Sequence, residues 1–83
     1  MANADRAELL RAERSLLVKA DNDIEEGRKR LRNQEDLLLG LEAGGHDTKQ
    51  AERLVELMKG TLTEWEKHRG LIVDRVAYLE KSV

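Results

Sequence analysis

Leu41-Glu42-Ala43-Gly44-Gly45-His46-Asp47-Thr48-Lys49-Gln50-Ala51 is the stretch on which the fold turns. It holds the only Gly-Gly of the chain, and on both sides of it apolar residues recur at every seventh position. Upstream the column is Leu10, Leu17, Ile24, Leu31 and Leu38; downstream it is Ala51, Met58, Trp65, Ile72 and Leu79. A column of this period is one stripe of a long helix packed against another. Two columns either side of a glycine turn predict an all-α fold, an antiparallel two-helix hairpin of coiled-coil type.

The same columns predict how the halves meet. Folding back antiparallel pairs Leu10 with Leu79, Leu17 with Ile72, Ile24 with Trp65, Leu31 with Met58 and Leu38 with Ala51. Equal periods guarantee that all five pairs share one midpoint, but not where that midpoint falls. It falls between Gly44 and Gly45. The glycine turn and the heptad register, read independently, agree.

The ends of the helices follow from local chemistry. Asp5 is the expected N-cap of the first helix, with Glu8 completing a capping box, so the helix runs over about 5–43. Gly44 and Gly45 can take the positive φ of a helix C-cap. After a turn over 44–47, Asp47 is the expected cap of the second helix with Gln50 reaching back, and Thr48 is the alternative. That helix runs over about 48–81, and the whole chain, 1–83, is one domain. Its seam is fuller, adding Val55, Leu62 and Val76, with Arg69 as the one break. The register sets Ala20 and Asp21 opposite Arg69, with Asp23 close by, which predicts a charge pair at the seam edge. The second stripe of the first helix reads Glu13, Ala20, Gly27, Gln34 and Leu41, small where Trp65 must be accommodated. Ala20 and Gly27 are therefore the expected sockets for the indole.

Composition narrows the class further. The 83 residues include no proline, cysteine or phenylalanine, one tyrosine and one tryptophan, a balance that suits long helices and disfavours a sheet. Fifteen basic and seventeen acidic side chains leave a formal charge of -2. Their signs alternate, so there is no block of charge for a phosphate backbone or an anionic membrane. The densest basic cluster, Arg28-Lys29-Arg30 with Arg32, is bracketed by Asp23, Glu25, Glu26, Glu35 and Asp36 and reads as a solvated face. No stretch has the length and apolarity of a spanning helix, and Met1-Ala2-Asn3-Ala4-Asp5 is not a secretion signal, so a cytoplasmic location is expected.

No catalytic, metal or cofactor signature emerges. A di-iron bundle needs Glu-x-x-His pairs, and neither His46 nor His68 has a glutamate three residues before it. Glu64 and His68 share a helix face, which suits a surface hydrogen bond. Ser15, Ser82, Thr48, Thr61 and Thr63 are ordinary helix or cap residues with no base and orienting acid in sight. No enzyme and no cofactor are expected.

Function is expected to lie in surplus apolar residues beside the seam. Leu9, Leu16, Leu37, Leu54, Leu57 and Leu71, with Leu39, Leu41 and Val73, widen the stripe beyond what one partner helix can cover. Near residues 21–36 the stripe narrows to Ile24 and Leu31, so further helices would pack towards the ends. A short chain buries little surface alone, and a dimer of hairpins closing into a four-helix bundle is the natural solution. The six named leucines are the expected oligomer interface. The intra-hairpin seam is Leu10, Leu17, Ile24, Leu31, Leu38, Met58, Trp65, Ile72 and Leu79. The chain then reads as a self-associating adaptor or small regulator acting through protein contacts, with itself as first partner, as homodimer or tetramer, and another helical protein as the alternative. Behind that reading stand an RNA-binding hairpin dimer, disfavoured by the balanced charge, and a phosphotransfer bundle using His68.

The run from Leu41 to Leu54, carrying Gly45-His46-Asp47-Thr48 before Ala51-Glu52-Arg53-Leu54, together with Leu62-Thr63-Glu64-Trp65-Glu66-Lys67-His68-Arg69, resembles a set of short helical-hairpin proteins of alphaproteobacteria. Those chains carry a Gly-His-Asp-Thr turn and a later His-Arg ahead of a C-terminal Leu/Ile segment. The resemblance covers about half of the chain and implies the same helical hairpin. The family has no assigned activity, so no functional residue is carried over. This chain departs from it at Trp65 and at the glycine following His68-Arg69.

Overall fold

The computed structural model describes the backbone of residues 2–82 and the side chains of residues 5–81. Two helices make up the chain, α1 over Ala2–Ala43 and α2 over Lys49–Ser82, packed along each other in a rod of 65 × 14 × 14 Å. At about 1.5 Å of rise per residue, α1 alone spans the rod, so the hairpin has a single layer and no end cap.

Helix α1 starts earlier than its expected cap. Asp5 lies inside the first turn rather than at the N-cap. Ala2 and Ala4 are strong helix formers, and no glycine or proline between Ala2 and Asp5 interrupts the backbone ladder. An acidic residue still serves that turn by facing the positive end of the helix dipole.

The turn is built as a Schellman motif. Gly45 takes the left-handed conformation, φ 73°, and is the only described residue with a positive φ. Its N–H donates to Glu42 O at 3.1 Å, and the N–H of His46 reaches back to Leu41 O at 3.0 Å, satisfying carbonyls that the helix end would orphan. Gly44 keeps a negative φ; what suits glycine there is space, because a Cβ would meet His46 Cδ2 at 2.9 Å. Gly45→Ala is therefore expected to destabilise the hairpin by about 1 kcal/mol through backbone strain. Gly44→Ala should cost less, since the imidazole can swing aside. Urea melts of the two variants test this, and equal losses would show that the positive φ is not what the turn depends on.

Helix α2 is capped by two residues sharing the work. Thr48 O accepts the first helical bond from Glu52 N at 2.9 Å, which makes Thr48 the cap by its backbone. Asp47 Oδ1 accepts from Lys49 N at 3.1 Å and supplies the side-chain oxygen. The reach-back expected of Gln50 is replaced by Thr48 Oγ1 donating to Glu52 Oε1 at 3.3 Å.

Packing follows the heptads along the whole rod. Leu10, Ile24, Val55, Leu62, Ile72, Val76 and Leu79 are buried, while Leu17, Leu31, Leu38, Ala51 and Met58 are half-buried between them. The tightest cluster, Leu10 with Ile72, Val76 and Leu79, lies towards the open end, with Leu17 and Ala20 against it. Ala20 thus makes room for the Ile72 cluster rather than for the indole. Gly27 is the socket: a Cβ there would lie 2.7 Å from Leu62 Cδ2 and 3.1 Å from Trp65 Cζ3.

Trp65 occupies the seam only in part and stays 38 % exposed. An indole is too large to lie between helices whose axes are about 8–10 Å apart. Its Cζ3 and Cε3 come closest to Gly27, and the rest of the ring stays partly open.

Candidate interaction surface

The two flanks of the seam differ in their balance of charged and apolar side chains. On one flank, ion pairs cross from helix to helix: Arg14 with Glu80 at 3.6 Å, Arg28 with Glu66 at 2.8 Å, and Arg69 with Asp21. The Arg69–Asp21 pair is the one foreseen at the break in the α2 seam, whereas Asp23 pairs along its own helix with Lys19 at 3.0 Å. Asp21, Ile24, Arg28, Glu66 and Arg69 line one groove on this flank. Each pair is about half-exposed, so each contributes at most about 1 kcal/mol; together they discriminate between registers more than they stabilise one.

The other flank carries the leucines. One groove there is lined by Leu16, Lys19, Ala20, Asp23, His68 and Ile72, and a second by Gly27, Arg30, Leu57, Met58, Thr61, Leu62 and Trp65. Residues seven apart share a side of a packed helix. Leu9 and Leu37 therefore stand in column with Leu16, Asp23 and Arg30. Leu54 stands with Thr61 and His68, and Leu71 with Leu57. All six leucines expected at an oligomer interface fall on this one flank, between 41 % and 67 % exposed, and Trp65 and Tyr78 join them. Val73 stands in column with Glu66 and Glu80 on the ion-pair flank, Leu39 lines a groove with Glu35, Glu52 and Lys59 on that side, and Val18 is exposed as well.

No family model, curated protein or solved structure matches the chain. What the molecule does must therefore be argued from these two flanks.

Several of the polar side chains considered for chemistry are engaged in ordinary helix contacts. Thr61 Oγ1 donates to Leu57 O at 3.1 Å and Thr63 Oγ1 to Lys59 O at 3.0 Å. Glu64 pairs with Lys67 at 3.4 Å rather than with His68, which lies in the groove beside Asp23. His46 covers Gly44 at the turn. Among the described residues, no three His, Asp or Glu side chains gather as a metal site, and no helix is long and apolar enough to cross a membrane. Ser82 lies outside the described side chains.

One half-buried carboxylate belongs to the leucine flank. Glu13 Oε2 is enclosed 3.0 Å from Arg75 Nε, close enough for an ion pair but without hydrogen-bond geometry. The pair neutralises Arg75 among the leucines of the open end. The register read from the sequence already sets Glu13 nearly level with Arg75, but which rotamers close the gap was not legible there.

Proposed function

We propose that this chain is a non-enzymatic, self-associating helical hairpin that closes into a four-helix bundle and acts through protein contacts, as a cytoplasmic adaptor or small regulator. The observation that carries this reading is the uneven division of the flanks: the Arg14–Glu80, Arg28–Glu66 and Arg69–Asp21 pairs on one side, and on the other six leucines with Trp65 and Tyr78, beside the Glu13–Arg75 contact. A monomer with scattered surface leucines needs no explanation, but leucines aligned along a single flank mark an association surface. The hairpin also has only one layer, so its seam residues Leu17, Leu31, Leu38 and Met58 remain half-exposed until something lies across them.

Sedimentation equilibrium over a wide concentration range tests the reading. Twice the monomer mass is expected, with Trp65 emission shifting to the blue as the dimer forms, since the chain has one tryptophan. A monomer mass at all concentrations, with unchanged emission, would remove self-association.

A further inference from the structure

The leucine flank is self-complementary in one direction. On α1 its column reads Leu9, Leu16, Asp23, Arg30 and Leu37, in which Leu16-Asp23-Arg30-Leu37 runs apolar, acid, base, apolar. Turned end for end about a point between Glu26 and Gly27, this run meets its own copy as Leu16 on Leu37 and Asp23 on Arg30, each twice.

We infer that two hairpins associate through this flank in antiparallel fashion, α1 on α1 and α2 on α2, with the two-fold axis crossing the rod level with Gly27 and Leu62. The inference rests on the self-association reading above and adds its geometry. Helix α2 supports the same axis independently. The hairpin register places the point between Glu26 and Gly27 level with the point between Leu62 and Thr63, next to the Gly27–Leu62 contact. About that point Leu54 meets Leu71 of the second copy, and Leu57 meets His68. Nothing in the α1 column required this.

The parallel alternative, with both turns at one end, lays α1 on α2 of the second copy. Asp23 would then stand level with Glu64 as well as His68, and Arg30 level with Leu57 and Thr61. This arrangement also brings Leu16 to Leu71 and Leu37 to Leu54, so leucine contacts do not separate the two; charge does, because it leaves Arg30 without an acid and Asp23 beside Glu64, where the antiparallel arrangement sets Asp23 on Arg30 twice. Among the described residues Arg30 takes part in none of the intrachain ion pairs, so its guanidinium is available to an acid on a second copy. Trp65 adjoins the axis, and its exposed part would be covered there. With Cα extents of 65 Å by 14 Å, one flank offers a footprint of roughly 900 Å², comparable to what each partner of a stable complex buries.

Two measurements test the arrangement on the full chain. The chain has no cysteine, so His46→Cys at the exposed turn takes a single spin label. The antiparallel dimer places the two labels more than about 50 Å apart at 1.5 Å of rise per residue, the parallel one less than about 25 Å. Separately, Asp23→Arg and Arg30→Asp should each raise the dimer dissociation constant at least tenfold at low salt. The double variant should restore it, and an equimolar mixture of the two single variants should form the heterodimer. A dimer with the short label distance, or one indifferent to the charge changes, overturns the antiparallel arrangement and leaves self-association standing. A monomer in the sedimentation experiment overturns both.

Discussion

Leu16→Glu combined with Leu71→Glu is expected to convert the dimer into folded monomers. Leu16 is 46 % and Leu71 57 % exposed, so neither supports the hairpin seam from inside, and glutamate keeps a high helix propensity at both positions. Two-fold symmetry repeats each substitution, so four leucine contacts disappear and four carboxylates are brought into an apolar interface. At about 1 to 2 kcal/mol for each partly buried leucine, the loss is roughly 4 to 8 kcal/mol, a rise in dissociation constant of about a thousandfold or more. Circular dichroism should show helicity close to the parent while sedimentation shows the monomer mass. If the variant sediments like the parent, the leucine flank is not the interface.

The second large effect is expected one residue further along α2. Ile72→Ala removes the most deeply buried side chain, 2 % exposed, from its contacts with Leu10, Val76 and Leu79. Truncations of this kind cost about 2 to 5 kcal/mol, part of it from the cavity left behind. A chain of this size has little stability in reserve, so the hairpin should be largely unfolded at moderate temperature. Leu71→Ala, its immediate neighbour, should barely change the melting of the isolated hairpin and should act on association instead. Thermal melts below and above the dimer dissociation constant separate the two roles. An Ile72→Ala hairpin that melts with the parent would show that the seam register is wrong.

These paired expectations at residues 71 and 72 show where sequence was enough. That Ile72 faces the seam and Leu71 does not follows from a seven-residue count, because a helix repeats its facing over a local, regular period. The turn was legible for the same local reason: a glycine pair followed by Asp47 and Thr48 has few other uses. Asp5 was misread because capping preference is a small energy. Ala2 and Ala4, strong helix formers on either side of Asn3, extend the helix past it at little cost.

Trp65 shows the limit of periodicity. Its heptad position is a seam position, yet size rather than phase decides whether a side chain fits between two helices. With Leu62 already against Gly27, the indole reaches the glycine through Cζ3 and Cε3 and stays partly exposed. The Glu13–Arg75 contact and the division of labour between Asp47 and Thr48 were equally beyond sequence reading, since each depends on distances of a few tenths of an ångström between particular rotamers.

By itself, then, the sequence determined the all-helical hairpin, the position of its turn, the antiparallel register and the identity of most seam residues, because all of these follow from short-range spacing. Only the tertiary structure decided that the six flanking leucines share one side of the rod and the Arg14, Arg28 and Arg69 ion pairs the other. That division arises from the simultaneous packing of residues far apart in the chain. Each flank is assembled from both helices, and neither helix alone specifies which side of its partner it will join.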